Sequence, residues 1–251
     1  MQYGVAVRMR RILPPVAGRS IVFALDDGIY EAPTGALLRS ADLVAMLSTE
    51  MGPHLTVLAN IGFLERFVPS DVCCGRIASL TLSSPHALSA KVPVNSVEAA
   101  IRSGADAVAV HLSTDGESEA ETVSAASRIA DAARQMGLPV LVAAYSRPRE
   151  SISPDHVRAV RVAVEIGADI IKSADPGRVD VLEQMCQVVG SAPILLASGG
   201  PLADAGASEI VHRLASAPRS VGLCFGRAVT ASSEPRRVVR LLRDVQQGGM
   251  Y

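Results

Sequence analysis

The chain has 251 residues, of which 49% are hydrophobic and 20% are charged, and its formal net charge is −1. Enough apolar side chains are present to form a core, which excludes an intrinsically disordered chain. The balanced charge argues against a general binder of nucleic acid or of acidic membranes.

Targeting and redox signals are weak. No apolar run reaches about 18 residues, so no membrane-spanning segment is predicted. The basic opening "MQYGVAVRMRRILPP" has neither a long apolar run nor a cleavage site, so we expect no secretory signal. The cysteines show no CxxC spacing, which favours reduced thiols in a cytoplasmic protein; they are Cys73, Cys74, Cys186 and Cys224.

Eight short runs rich in Val, Ile, Leu and Ala recur along the chain, as expected for strands covered on both faces. In chain order they are "IVFAL" ending at Leu25, "TVLAN" ending at Asn60, "IASLTL" ending at Leu82, "AVAVHL" ending at Leu112, "PVLVAAY" ending at Tyr145, "ADIIK" ending at Lys172, "PILLAS" ending at Ser198 and "VGLCFG" ending at Gly226.

Helical periodicity fills the stretches between these runs. "SVEAAIRSG" opens with Ser96 as a predicted N-cap and closes at Gly104. "ETVSAASRIADAARQMG" and "SPDHVRAVRVAVEIG" repeat the pattern and close at Gly137 and Gly167. Helix, glycine and strand therefore alternate in a βα repeat of about 30 residues.

This repeat predicts an α/β fold, a single (β/α)8 TIM barrel formed by residues 1–251 as one domain. A doubly wound open sheet is the alternative, but it usually has fewer strands at this length. No GxGxxG motif follows the first predicted strand.

A barrel gathers the C-terminal ends of its strands at one mouth, where the active site lies. The sequence places acids, a phenol, a lysine and two glycine-rich segments there. They are Asp26 and Asp27, Asn60, Ser83 and Ser84, His111 and Ser113, Tyr145 and Arg147, Lys172, "SGGP" from Ser198, and Gly226 with Arg227.

The two glycine-rich segments indicate a phosphate site. Barrels often bind phosphate with the loops after strands seven and eight, and glycine lets backbone N–H groups approach an anion. The predicted contacts are Ser198, Gly199, Gly200, Gly226 and Arg227. The alternative is that these glycines only form tight turns.

Lysine is rare in this chain. Only Lys91 and Lys172 are lysines among the 24 Lys plus Arg residues. Arginine keeps its proton in proteins, whereas lysine can become an amine nucleophile once burial or a neighbouring cation lowers its pKa. Lys172 at the end of a predicted strand is therefore a candidate for imine chemistry. The alternative is a structural lysine paired with a carboxylate.

These motifs together resemble a known group. "VNSVEAAIRSGADAVAVHL", "LVAAYSRP", "GADIIK", "ASGGP" and "GLCFGRAV" occur in the order and spacing of the archaeal-type fructose-bisphosphate aldolase family of class I aldolases. That family includes the 2-amino-3,7-dideoxy-D-threo-hept-6-ulosonate synthases and the aminohydroxybenzoate-pathway aldolases. The similarity runs from about Tyr3 to Val245.

The resemblance implies a (β/α)8 barrel with a Schiff-base lysine matched by Lys172, an acid/base tyrosine matched by Tyr145 and an aspartate matched by Asp26. The family's phosphate contacts fall on the glycine-rich segments named above. Asp27, His111 and Arg147 are secondary candidates. Asp27 stands where the family usually has histidine, and "SADPG" after the lysine replaces the family's Tyr-Thr-Gly-Asp.

The predicted function is a Schiff-base class I aldolase acting on a phosphorylated ketose. The alternatives are a transaldolase- or thiolase-like transfer enzyme that uses the same lysine, or a non-catalytic phosphometabolite-binding barrel. No metal is expected, because the histidines lack HxH or HExxH spacing, and no cofactor is expected. We expect a small phosphorylated substrate, neither nucleic acid nor membrane as partner, and a homo-oligomer, because family members commonly form rings of subunits.

Overall fold

The computed structural model describes residues 2–16, 18–26, 35–72, 74–84, 87–114, 116–146, 155–197, 217–218 and 220–248. The strands within these residues are β1 (Ile21–Ala24), β2 (Thr56–Asn60), β3 (Gly75–Ser79), β4 (Thr81–Ser84), β5 (Ala87–Pro93), β6 (Ala107–Thr114), β7 (Val140–Ser146), β8 (Ile170–Ala174), β9 (Ile194–Ala197) and β10 (Val221–Phe225).

Eight of these strands close into a parallel barrel in the order β1-β10-β9-β8-β7-β6-β3-β2. The α-helices of the described residues are α1 (Tyr3–Ile12), α2 (Ser40–Met51), α3 (Ile61–Phe67), α4 (Val97–Arg102), α5 (Glu119–Gln135), α6 (His156–Glu165), α7 (Val179–Val189), α8 (Arg227–Thr230) and α9 (Pro235–Gln246). The predicted (β/α)8 barrel is confirmed. No helix among the described residues is both long and apolar enough to cross a membrane.

The helix ends follow their sequence signals. The Ser96 hydroxyl accepts the backbone N–H of Ala99 at 3.2 Å and caps α4. Gly104, Gly137 and Gly167, each predicted to end a helix, have φ values of +79°, +66° and +92°. These values lie in the left-handed region, where glycine has no Cβ penalty.

The barrel strands separate two cores. The inner core contains alternate strand residues such as Leu58, Ala109 and Ala143. The larger outer core lies between the strands and the surrounding helices. Because successive side chains of a strand point to opposite faces, every second residue points into the barrel.

Helix α1 closes the N-terminal end of the barrel. Its last residue, Ile12, packs into the inner core, and the Ile12 carbonyl accepts the Thr56 hydroxyl at 2.9 Å. Gly75 begins β3 at this contact. A Cβ there would lie 2.7 Å from the Arg11 carbonyl oxygen and 2.9 Å from Ile12 Cα, so only glycine permits the approach.

The third strand was predicted wrongly. A single run through Leu82 was expected, but β3 ends at Ser79 and Leu82 belongs to β4. β4 and β5 form an antiparallel hairpin between β3 and β6 in the chain. Ser83 and Ser84 therefore lie on this hairpin and do not end a barrel strand.

The C-terminal helix α9 is held by one buried carboxylate. Glu50 of α2 accepts hydrogen bonds from Arg236 at 2.9 Å, Arg240 at 3.2 Å and Arg243 at 3.1 Å, while only 6% of its side chain is exposed. Three cations around one carboxylate compensate its burial. The ion cluster therefore links α2, near the start of the barrel, to α9 at its end.

Candidate active site

The C-terminal ends of five barrel strands carry polar side chains toward the barrel axis. Each lies two residues beyond an apolar residue of the inner core. Strand alternation fixes the direction of the four that lie within strands, and Asp26 lies two residues beyond the end of β1. These residues, called the polar layer below, are Asp26, Asn60, His111, Tyr145 and Lys172. Asn60 donates from Nδ2 to the Ser79 carbonyl at 3.1 Å, which joins β2 to β3 at the mouth.

Lys172 is buried, with 7% of its surface exposed. In the strand register its Cα pairs with Ala143 of β7 and Leu195 of β9. Both neighbours are buried apolar residues of the inner core. A lysine amine acts as a nucleophile in its neutral form, and the strand places this amine among the residues of the barrel mouth.

Asp26 follows β1 and is also buried, with 6% exposure. Its Oδ2 atom has no hydrogen-bond partner among the described residues. A buried carboxylate oxygen without a partner is costly and calls for an explanation. A substrate hydroxyl or a cationic intermediate would supply the missing interaction.

His111 and Tyr145 form a stacked pair on β6 and β7. Their ring centroids lie 6.5 Å apart with 20° between the planes. His111 is buried and Tyr145 is half-buried, so the tyrosine is the more accessible of the two at the mouth. The Cα partner of Tyr145 is Ser113, whose buried Oγ has no hydrogen-bond partner among the described residues.

Thr81 of the hairpin holds His111 through one hydroxyl. Oγ1 accepts the backbone N–H of His111 at 3.0 Å and lies 2.9 Å from its Nδ1 atom. A hydroxyl that accepts one hydrogen can still accept a second, so two arrangements fit this contact: the Thr81 hydroxyl donates to Nδ1, or Nδ1–H donates to the hydroxyl. We predict the first arrangement, in which the ring hydrogen of neutral His111 lies on Nε2.

The surroundings of His111 keep it neutral. Burial lowers the pKa of His111 well below its usual value, and the positive charges of Lys91 and Lys172 lower it further. The two lysines of the chain therefore act on the same imidazole. His111, predicted as a secondary site residue, lies inside the polar layer.

The other predicted site residues divide into two groups. Gly226 and Arg227 follow β10 directly and are half-buried. Outside the described residues lie Ser198, Gly199, Gly200, Asp27 and Arg147. The phosphate site and these secondary candidates therefore remain predictions.

Sequence reasoning missed Thr81 and Lys91. Both lie on the hairpin, and the run "TLSSPHALSAKVPV" was assigned in part to a barrel strand and in part to a connection. The hairpin could have been found only by pairing Thr81 with Pro93. The sequence of the two short strands on either side of Pro85 has no distinctive pattern that indicates this pairing.

Within the described residues, no three His, Cys, Asp or Glu side chains form a group that could hold a metal ion. The fold and site define a TIM-barrel enzyme with a buried lysine, a carboxylate and a phenol at its mouth. Residues 68–232 match the DeoC/LacD family aldolase pattern, and the chain belongs to this family. It is therefore an enzyme of the aldolase class.

Relatives along nearly the whole chain agree with this family. The chain is 29% identical to a 2-amino-3,7-dideoxy-D-threo-hept-6-ulosonate synthase of Archaeoglobus fulgidus, covering 97% of this chain and 91% of that one. It is 29% identical to a 2-amino-4,5-dihydroxy-6-oxo-7-(phosphonooxy)heptanoate synthase of Streptomyces griseus, covering 96% and 89%. A 3-hydroxy-5-phosphonooxypentane-2,4-dione thiolase of Klebsiella pneumoniae is 26% identical over 98% of this chain and 82% of its own length.

Solved structures show the same fold. An archaeal fructose-1,6-bisphosphate aldolase whose catalytic lysine is bound to a carbinolamine intermediate superposes with a TM-score of 0.84 at 21% identity. The match covers 97% of this chain and all of that one.

Proposed function

We propose that this protein is a Schiff-base-forming class I aldolase that makes or breaks a carbon–carbon bond in a phosphorylated ketose or related keto sugar phosphate. The observation that carries the proposal is Lys172, a buried lysine at the mouth of the barrel of an aldolase-family chain. Tyr145 lies on β7, which pairs with the Lys172 strand β8, and Asp26 follows β1, which is three strands from β8 around the barrel.

In the proposed reaction the neutral Lys172 amine adds to the substrate ketone, and loss of water from the carbinolamine gives an iminium ion. The iminium accepts the electron pair of the breaking carbon–carbon bond and becomes an enamine, while the aldehyde product departs. Protonation of the enamine carbon and hydrolysis restore the amine. The reverse sequence forms the bond, and no cofactor is needed because the lysine itself supplies the electron sink.

We assign proton transfer to Tyr145, which is half-buried at the mouth. Its phenol can donate to the carbinolamine oxygen as water leaves and accept the proton of the departing aldehyde hydroxyl. Asp26 has a carboxylate oxygen without a hydrogen-bond partner among the described residues, and this oxygen can bind a substrate hydroxyl or stabilise the iminium. His111 and the secondary candidates Asp27 and Arg147 complete the proposed site.

The phosphate is proposed to bind at Ser198, Gly199, Gly200, Gly226 and Arg227. Backbone N–H groups and one guanidinium would hold it away from the reacting carbon, and this remote binding would position the ketone over Lys172. The names of the S. griseus and K. pneumoniae relatives both describe phosphonooxy keto compounds, which supports a substrate of this class.

A transfer reaction is the second candidate function. The K. pneumoniae relative, which matches 98% of this chain, is named a thiolase. Such an enzyme would pass the fragment to a thiol and not release it as an aldehyde or ketone. Product analysis with and without a thiol acceptor separates the two reactions.

The test of the proposed function is a substrate panel of phosphorylated ketoses assayed with Lys172→Met, Lys172→Arg and Tyr145→Phe variants. We expect both lysine variants to lose at least about 1,000-fold in kcat/KM and Tyr145→Phe to lose about 100-fold or more. Arg102→Met is the control, because Arg102 is exposed at the end of α4, near the opposite end of the barrel. Full activity in Lys172→Met, or a wild-type protein that binds phosphoketoses without turnover, contradicts the proposal.

Three further expectations belong with this proposal: one domain, a homo-oligomer and a cytoplasmic location. Light scattering coupled to size-exclusion chromatography tests the second directly. A monomer at micromolar concentration would refute it and leave the chemistry untouched.

A further inference from the structure

Ser113 is a buried residue of β6 that the proposed reaction does not use. Only 1% of its surface is exposed, and its Oγ atom has no hydrogen-bond partner among the described residues. A buried hydroxyl without a partner costs free energy, so folded proteins keep few of them. A ligand that bonds to Oγ would remove this cost.

The alternation of β6 turns the Ser113 side chain into the barrel. Ala109 lies in the inner core, whereas Leu112 lies in the outer core between strands and helices. Ser113 is four residues beyond Ala109 and directly follows Leu112, so its side chain points to the inner face. The pairing of β6 with β7 is unbroken from Val108 to Thr114, which keeps this alternation in phase as far as Ser113.

The backbone of Ser113 is held by the surrounding helix α5. The Thr122 hydroxyl accepts the Ser113 N–H at 3.3 Å and lies 3.0 Å from the Ser113 carbonyl oxygen. Both backbone polar groups of Ser113 therefore have a contact, while the side-chain Oγ has none among the described residues. A fixed backbone positions this hydroxyl for a ligand.

Ser113 continues a line of residues that begins at Lys172. Lys172 pairs with Ala143 of β7, and Tyr145 lies two residues beyond Ala143 on the same face. Tyr145 and Ser113 are Cα partners across β7 and β6, one layer nearer the mouth than Lys172.

The order of the strands gives this line a direction. β9 and β10, which precede the proposed phosphate contacts, lie on one side of β8, and β7 and β6 lie on the other. A substrate with its phosphate after β9 and β10 and its ketone on Lys172 therefore passes Tyr145 first. The part of the substrate beyond the cleaved bond then reaches Ser113.

We propose that Ser113 is a specificity-determining residue that hydrogen-bonds a hydroxyl group of the aldehyde half of the substrate. The inference rests on the proposed function, in which Tyr145 accepts the proton of the hydroxyl at the cleaved bond. A serine hydroxyl can both donate and accept, so it matches a substrate hydroxyl and offers nothing to an alkyl group. An aldehyde without the hydroxyl would leave Oγ buried and unpartnered, and this penalty is the source of the selectivity.

Pairs of aldehydes that differ by one hydroxyl test the role of Ser113. The ketone fragment that the protein releases from a phosphoketose is condensed with glycolaldehyde or acetaldehyde, and with 3-hydroxypropanal or propanal, by the wild type and by Ser113→Ala. We expect Ser113→Ala to lose about tenfold in kcat/KM for the hydroxylated member of one pair and to change by less than about twofold for its deoxy partner. The pair that responds shows which carbon carries the hydroxyl.

Ser173→Ala is the matched control. Ser173 is also fully buried with an Oγ that has no partner among the described residues, but its Cα partner Leu196 lies in the outer core, so its hydroxyl faces the helices. This variant should leave the selectivity unchanged. Neither variant should lower the melting temperature of the ligand-free protein, because neither substitution breaks a hydrogen bond of the described residues.

Equal losses with hydroxylated and deoxy aldehydes, or a clear fall in the melting temperature of Ser113→Ala, would overturn the role of Ser113. The same selectivity change in Ser173→Ala would also overturn it. A wild type that cleaves a phosphoketose but prefers neither hydroxylated aldehyde rejects the role of Ser113 alone. A wild type that neither cleaves a phosphoketose nor forms a carbon–carbon bond rejects the proposed function, and the role of Ser113 falls with it.

Discussion

The Thr81 hydroxyl lies 2.9 Å from Nδ1 of His111 and accepts the backbone N–H of the same residue at 3.0 Å. One side chain of the inserted hairpin thus contacts both the backbone and the ring of a histidine on a barrel strand. The tautomer predicted for His111, with the ring hydrogen on Nε2, depends on this contact.

Replacing Thr81 tests this relationship. Thr81→Val keeps the shape but removes the hydroxyl, which leaves the His111 N–H without its acceptor and Nδ1 without its donor. We expect a loss of about 1–3 kcal/mol in the free energy of unfolding and about tenfold in kcat/KM. Thr81→Ser should restore both.

The ring ¹⁵N shifts of His111 give the decisive reading. The wild type should show an unprotonated Nδ1 and a protonated Nε2, and Thr81→Val should show a mixture of tautomers. A wild-type Nδ1 that carries the hydrogen would contradict the assignment.

His111 also predicts a pH dependence of stability. Its pKa in the folded protein is well below the usual value of 6.5, because burial and two lysine charges oppose protonation. As the pH falls below about 6.5, the unfolded chain binds a proton at this position while the folded chain does not, so folding stability decreases. Above that pH both states are neutral and the effect vanishes.

Denaturant unfolding at pH 7.5 and pH 5.5 measures this effect in the wild type and in His111→Gln. The variant should lose less stability over the interval than the wild type, whatever its starting value. Equal losses in the two proteins would show that His111 titrates normally in the fold.

Gly75 predicts a packing effect at the other end of the barrel. Gly75→Ala would place a Cβ within 3.0 Å of the α1 backbone, so α1 would have to shift, at a cost of about 1–3 kcal/mol. Gly62→Ala in α3 is the matched control, because its added Cβ would meet nothing within 4 Å and alanine favours the helix. Thermal unfolding should rank the control at or above the wild type and Gly75→Ala below it; the opposite order would refute the close contact.

Glu50 predicts an acid-sensitive anchor for α9. The Arg240 hydrogen bond, followed by the charges of the three arginines, lowers the pKa of Glu50 below 4.5. The carboxylate therefore contributes stability above the unfolded pKa, and this contribution is lost as the pH falls below about 4.5 toward the folded pKa. Glu50→Gln should lower the melting temperature at pH 7 and change it less at pH 3.5, while an equal change at both values would argue against the ion cluster.

The barrel and the polar layer follow from local signals in the sequence. The apolar runs, the glycines after helices and the side-chain alternation place Lys172, Tyr145 and Asp26 at the strand ends before any coordinates are known. These features depend only on period and chain order, and the barrel geometry then brings the residues together.

The hairpin could not be predicted in the same way. Leu80 continues the apolar run of β3, so the sequence offers no break where the chain leaves the barrel at Ser79. The contact of Thr81 with His111 joins residues 30 positions apart, so no local pattern encodes it. Lys91 stands out in the sequence as one of two lysines, but its place in the fold depends on the pairing of β4 with β5.

The central claim is that Lys172 forms the covalent intermediate, and reductive trapping tests it most directly. The protein is mixed with a phosphorylated ketose that it turns over, reduced with borohydride, digested and mapped by mass spectrometry. Because Lys91 and Lys172 are the only lysines of the chain, the map distinguishes two side chains. We predict the reduced substrate adduct on Lys172 and its absence from Lys172→Met; an adduct on Lys91 alone, or turnover without any adduct, would contradict the claim.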